Sequence, residues 1–280
     1  MQRSDGLRVL FGLLGHPLSH SFSRSYFEGK FVSGPDGGYE YRNFDFPDLE
    51  EGVRCLKSNP FLKGFNVTLP YKRSIMPYLD EVSPEAAAIG AVNTVCVQEG
   101  TARWTGFNTD TSAFWDSLSR FAGRAWLGGC RMALVLGNGG ASQAVQYAFH
   151  VHGIRYDLVC RNPSASSAGS HALFRPERIW RYPELAASYL ETDVSLIVNA
   201  TSLGMFPDTG QAPPIPYEGI GENHVAFDLV YNPLESLFLQ KCRRHHARCC
   251  NGLDMLHLQA EASWETWMRG DACLQGGAGV

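Results

Sequence analysis

The stretch RMALVLGNGGAS is where residue type and spacing first point to chemistry. Gly137, Gly139 and Ser142 take the three small positions of a G-x-G-x-x-G/A-like turn, and Asn138, Gly140 and Ala141 complete the loop. An apolar run precedes it and a helix-forming run follows. A strand entering such a turn and a helix leaving it aim backbone N–H groups and the positive end of a helix dipole at a pyrophosphate, while glycine allows close approach. A tight turn without a ligand is the competing explanation, and the strand–turn–helix context favours a dinucleotide. The next apolar run, YDLVC, ends about 20 residues on, where that fingerprint puts its ribose-contacting residue. An NAD site commonly has Asp or Glu there; this chain has Cys160, Arg161 and Asn162. Arg161 is a planar, bidentate donor suited to a 2′-phosphate, which leans the expectation toward NADP, with a solvated surface arginine as the alternative.

Other polar residues become informative only in company. They stand in HSFSRS, GFNVTLPYK, GAVNT and GFNTD. Taken singly, Lys72 is a surface lysine, Asn93 a turn residue, and Asp110 the N-cap of a helix that starts in TDTSAF.

The elements that must position these residues alternate between strand and helix. LRVLFGLLG, YEYRNFDF and LKGFNVTLP read as strands, and SFSRSYFEGKF and DLEEGVRCLKSN as helices, the second with acidic residues in its first turn. SPEAAAIG reads as a short helix with Ser83 as cap, Pro84 at its first position and Gly90 past its end. AVNTVCVQEGTARWTGFNTD reads as two strands around a turn at EGT, and TSAFWDSLSRFAGRAW as one long amphipathic stretch. VSLIVNATSLGM and HVAFDLVYNP read as strands with polar ends, PLESLFLQKCRRHHA and NGLDMLHLQAEASWETWMRG as helices. The small-residue segment from Ser164 to Ser170 reads as a surface loop or short helix. Two glycine-marked strand ends, LFGLLG and LVLGNGG, each start a βα unit, so an α/β chain with two domains and a boundary near Asp110 is expected.

Composition narrows the classes. With 280 residues the chain fits one large or two medium domains. A charged fraction of 19% and a net charge of −4, without a dominant basic run, argue against nucleic acid as partner. No apolar run approaches the roughly 20 residues of a membrane span, and Asp5 ahead of the first apolar run argues against a signal peptide. None of the eight cysteines stands in a C-x-x-C pair, so reduced thiols in the cytoplasm are expected. His245, His246, Cys249 and Cys250 can be drawn as a metal cluster; a helix surface followed by a short strand accounts for them better, and no metal is expected.

In their order and spacing, and followed by a dinucleotide turn, the polar segments resemble the shikimate dehydrogenase family. The resemblance runs from about Gly12 to Gln259 and continues in NATSLGM, DLVYNPLES and NGLDMLHLQA. It implies a substrate domain of residues 1–109 plus 252–280, a Rossmann-like NADP-binding domain of 110–251, and a cleft between them. It implies Lys72 and Asp110 at the reacting carbon. Ser21 and Ser23 would take the substrate carboxylate, and Thr68, Asn93, Tyr231 and Gln259 the rest of a carboxylated cyclic polyol. The cofactor would lie on the Gly137–Ser142 loop, with Arg161 at the 2′-phosphate and Gly252 near the nicotinamide end. The implied activity is reversible reduction of 3-dehydroshikimate to shikimate with NADPH, in aromatic amino-acid precursor biosynthesis, by a cytoplasmic monomer or homodimer that binds neither nucleic acid nor membrane. The alternatives are a quinate/shikimate dehydrogenase using NAD, a non-catalytic nucleotide sensor on the same scaffold, and a methylene-tetrahydrofolate dehydrogenase-like enzyme, which the serine pair and the NVTLPYK and GFNTD strings disfavour. The chain departs from the family pattern at Phe22 and Arg24 within the serine motif, at Ala165 where NADP members often carry a second arginine, at Asp254, and at a GGAGV ending where a last helix is usual.

Overall fold

The apolar runs VLFGLLG and ALVL each seed a sheet in the structure, a computed structural model that describes residues 9–18, 22–33, 38–163 and 174–269. The chain divides into two units, Met1–Thr109 with Ala260–Val280, and Asp110–Gln259.

The first unit contains β1 (Val9–Gly15), α1 (Phe22–Ser33), β2 (Tyr39–Asp45), α2 (Leu49–Lys57), β3 (Leu62–Val67), β4 (Glu81–Val82), α3 (Pro84–Ile89), β5 (Thr94–Val97) and β6 (Trp104–Phe107). Its sheet runs β2-β1-β3-β5-β6-β4. β1 lies parallel to β2 and β3, which leaves it apolar on both faces, as a central parallel strand must be. β5 is antiparallel to both β3 and β6, forming with β6 the hairpin around EGT. Local signals set the helix ends: Asp48 accepts from the Glu51 N–H at 2.9 Å to start α2, and Ser83 accepts from the Ala86 N–H at 3.2 Å to start α3. Phe11, Phe27, Phe31 and Trp267 pack on one face of the sheet, and Leu14, Val53, Phe65 and Trp104 on the other.

The second unit contains α4 (Asp110–Ala122), α5 (Arg124–Gly128), β7 (Ala133–Leu136), α6 (Gly140–Val151), β8 (Tyr156–Val159), β9 (Ile179–Trp180), the helix Ala187–Asp193, β10 (Leu196–Asn199), β11 (Val225–Asp228), the helix Leu237–Arg244 and β12 (Arg248–Cys250). The last described helix, Leu253–Arg269, begins in this unit and runs past the division at Ala260. Every strand pairing is parallel, in the order β12-β11-β10-β7-β8-β9. Counted from β7 this is the 3-2-1-4-5-6 order of a dinucleotide-binding sheet. Alternate residues of β7, β10 and β11 enter opposite cores, Val135, Val198 and Phe227 one, Leu136, Ile197 and Ala226 the other.

The structure breaks the long amphipathic stretch after Asp110 in two at Gly123, whose φ of 88 no right-handed helix accommodates. The two-residue strands β4 and β9 are too short to carry a period-two signal in the sequence. His245 to Cys250 form a helix end and β12, and among the described residues no group of His, Cys, Asp or Glu could hold a metal ion. No described helix is long and apolar enough to cross a membrane, and no disulfide joins any two of the seven described cysteines. The segment around Ser164 to Ser170, Ala165 included, and the GGAGV ending lie outside the described residues.

Candidate active site

The loop after β3 carries two of the expected site residues, and its backbone is laced to both neighbours. The Thr68 N–H donates to the Leu14 carbonyl at 2.9 Å, and the Val92 N–H donates to the Lys72 carbonyl at 2.8 Å. The Tyr71 ring is buried, and its hydroxyl donates to the Phe46 carbonyl at 2.7 Å. Thr68 and half-buried Lys72 therefore stand on a fixed backbone, beside the segment that leads through Asn93 into β5.

Asn93 is buried within a polar cluster. Its Oδ1 accepts from the Thr109 N–H at 2.8 Å and from the Thr94 hydroxyl at 3.0 Å, and its Nδ2 donates to Thr109 Oγ1 at 3.0 Å. Thr109 immediately precedes Asp110, the buried first residue of α4. Asn66 lies beneath. It accepts from the Tyr41 hydroxyl at 2.9 Å and donates to Ser263 Oγ at 2.9 Å and Thr94 Oγ1 at 3.2 Å. Burial pushes the Tyr41 phenol well above its ordinary pKa, and a hydrogen bond from Ser23 pulls the other way. Ser23 stands in the first turn of α1, whereas Ser21 lies outside the described residues. The segment leading to them is pinned where the Leu18 N–H donates to Asp45 Oδ2 at 2.9 Å.

In the second unit the glycine loop sits at the end of β7. The Gly137 N–H donates to the Val159 carbonyl at 2.8 Å, which holds the loop against the end of β8. Gly137 has φ 100, and a Cβ there would stand 2.8 Å from Thr201 Cγ2 in the turn after β10, so the turn needs glycine twice over. α6 starts behind Gly139 without a side-chain cap, so Asn138, Gly140 and Ala141 present backbone at a helix N-terminus. Ser142 faces inward: its hydroxyl donates to the Gly137 carbonyl at 2.6 Å and accepts from Gln146 Nε2 at 3.0 Å. Its side chain shapes the loop, which explains a serine at the third small position. Exposed Arg161 stands two residues past β8, and its side chain makes no hydrogen bond or ion pair with the described residues.

The polar ends of β10 and β11 form another buried group. Asp228 accepts from Asn199 Nδ2 at 2.9 Å, from the Val230 N–H at 3.0 Å, and from the Ser236 hydroxyl that caps the helix Leu237–Arg244. These bonds shape the turn to half-buried Tyr231, whose phenol burial pushes up. Gly252 packs against the same turn, its N–H donating to the Val230 carbonyl at 3.1 Å. Gln259, two turns into the last helix, donates from Nε2 to the Leu256 carbonyl at 3.0 Å.

Burial raises the Asp228 carboxyl to about 6 against the three donors that lower it. Between about pH 4 and 6 the folded protein thus holds a proton that the unfolded chain has released, so stability falls as pH rises through that window. A shift of this size corresponds to about 3 kcal/mol. Thermal melts from pH 4 to 7 should show that slope in the parent protein and lose it in Asp228→Asn, which keeps an acceptor for Val230 and cannot ionise. Asp228→Ala should melt lower at every pH, since it strands buried donors at about 1–3 kcal/mol each.

Residues 13–95 match the model of the shikimate dehydrogenase substrate binding domain. A protein named shikimate dehydrogenase (NADP(+)) from Caldanaerobacter subterraneus subsp. tengcongensis is 37% identical over 268 residues, covering 94% of this chain and 92% of the relative. The chain belongs to the shikimate dehydrogenase family. Another protein named shikimate dehydrogenase (NADP(+)), from Methanococcus vannielii, is 34% identical over 270 residues, covering 94% of this chain and 92% of that one. The solved shikimate 5-dehydrogenase of Thermus thermophilus, in complex with NADP(H) and shikimate, superposes with a TM-score of 0.75 at 33% identity, over 92% of this chain and 93% of that one.

Within this family the departures at Arg24 and Asp254 have local explanations. Arg24 is exposed and pairs with Glu28 one turn on, at 2.8 Å, while Phe22 stacks on Tyr26. Asp254 stands in the first turn of its helix, where a carboxylate is favoured, and pairs with Arg120 at 3.4 Å. Sequence reasoning missed Tyr41, Asn66, Thr109 and Ser263. Asn66 carried a signal, a polar residue inside an apolar strand, which must find partners. Ser263 carried none, because a small residue on a core-facing helix position needs no explanation.

Proposed function

We propose that this protein reversibly reduces 3-dehydroshikimate to shikimate with NADPH, on the route to aromatic amino acids. What supports the reading most is 37% identity to a shikimate dehydrogenase (NADP(+)) across 94% of the chain, with Lys72 and Asp110 in place.

The glycine loop suits a dinucleotide. It is pinned at Gly137 and uncapped at Gly139, and Ser142 is turned inward, so the backbone N–H groups of Gly140 and Ala141 are what a pyrophosphate would meet. When bound, the reduced nicotinamide supplies the hydride. Lys72 stabilises the alkoxide that develops on the substrate carbonyl oxygen and gives that oxygen its proton. Asp110 accepts from a ring hydroxyl beside the reacting carbon. Ser21 and Ser23 donate to the substrate carboxylate, and Thr68, Asn93, Tyr231 and Gln259 pair with the ring hydroxyls. Gly252 keeps the turn before Tyr231 close to the nicotinamide end. The setting is the cytoplasm, the assembly a monomer or homodimer, and nucleic acid no partner.

Arg161→Ala is expected to raise the KM for NADPH severalfold more than that for NADH, since an exposed guanidinium with no carboxylate partner among the described residues can pair with a 2′-phosphate. Parallel KM measurements check it, and equal changes would take Arg161 out of the cofactor site. The reading as a whole is tested by following absorbance at 340 nm with shikimate and quinate, each against NADP⁺ and NAD⁺. Reduction of NADP⁺ by shikimate is the expected result. Folded protein inactive in all four combinations would overturn it.

A further inference from the structure

We infer that Ser263 is a positioning residue for this reaction, acting through the Asn93 amide and Thr109. The inference rests on the proposed role of Asn93 at the substrate.

Donor and acceptor accounting carries it. The Asn93 backbone carbonyl can only accept, and Asn66 Nδ2 lies 3.3 Å from it. The Asn66 amide is therefore turned with nitrogen toward β5 and oxygen toward Tyr41. The Thr109 N–H can only donate, and its 2.8 Å bond to Asn93 Oδ1 orients the second amide in the same way. The Thr94 hydroxyl spends its single proton on Asn93 Oδ1, so toward other groups its oxygen is an acceptor. Ser263 accepts from Asn66 Nδ2 at 2.9 Å, and its hydroxyl lies within hydrogen-bond distance of Thr94 Oγ1 at 2.8 Å and of Thr109 Oγ1 at 3.3 Å.

One fully buried hydroxyl thus ties together β3, β5 and the residue before Asp110. It does so from the last helix, one turn after Gln259 and on the same face. Ser263 reaches three other segments, and with alanine in its place Asn66 and Thr94 lose a shared partner on which the Thr94 and Thr109 contacts to the Asn93 amide lean.

The test is a double-mutant cycle on kcat/KM for the keto-acid, with thermal melts to establish that each variant is folded. Ser263→Ala is expected to lower kcat/KM on the order of tenfold and leave the KM for NADPH unchanged. In an Asn93→Ala background the same change should add less than about twofold, because coupled residues are not additive. Additive losses, or an equal rise in the KM for NADPH, would show that Ser263 serves the fold alone and overturn the inference. Unchanged kcat/KM in Asn93→Ala itself would strike the role of Asn93 first, and the inference with it. If Ser263→Ala does not fold, Ser263→Cys, which keeps the volume and donates weakly, enters the cycle with the same two outcomes.

Discussion

Lys72→Ala is expected to lower kcat by on the order of 10² or more while leaving the protein folded, the usual cost of removing a proton donor from a developing alkoxide. The fold is expected to survive because the loop does not depend on the lysine side chain. Its position is held by backbone, through the Val92 N–H on the Lys72 carbonyl, and by the buried side chains of Tyr71 and Ile75. The Lys72 side chain belongs to neither hydrophobic core of its unit. Steady-state rates with saturating keto-acid and NADPH, beside a thermal melt, check both expectations. Turnover near that of the parent in a folded variant would remove the proton-donor role. Lys72→Arg should not rescue, because a guanidinium stays protonated throughout the accessible pH range.

Gly252→Ala is expected to have the largest effect on stability of any single methyl added near the site. A Cβ at that position would stand 2.2 Å from the Leu229 carbonyl oxygen and 2.7 Å from its carbon. The obstacle is backbone, which cannot swing aside as a side-chain tip does. Either the start of the last helix or the turn from Asp228 to Tyr231 must move, and the Gly252–Val230 hydrogen bond opens with it. Overpacking of this kind costs about 3 kcal/mol, which for a unit of this size lowers Tm by about 6–12 °C. Activity should fall as well, since the displaced turn ends in Tyr231. A melt unchanged from that of the parent would show that the turn yields without cost.

Much of this molecule can be read from short stretches of its chain. The strand-turn-helix around Gly137 is legible because a turn with positive φ calls for glycine and because the flanking periodicities differ. Asp48, Ser83 and Gly90 mark helix ends in the sequence and do so in the structure, since capping involves only neighbours in the chain. The motif strings that carry the resemblance to the family single out Lys72, Asn93 and Asp110 as the residues proposed for the site. The inward turn of Ser142 was not legible, because its partner carbonyl at Gly137 depends on how the loop closes.

The sequence by itself determined the α/β alternation, the two starting βα units, the glycine turn and the family. Each rests on residues within a few positions of one another or on strings met in order. Only the tertiary structure decided how the candidate site is held. Ser263 and Thr94 are 169 residues apart in the chain, and Tyr41 and Asn66 meet across a parallel sheet. No local pattern announces such bonds, because a buried hydroxyl or amide is satisfied by whatever donor or acceptor the folded chain brings to it, and that is set by packing across the whole unit.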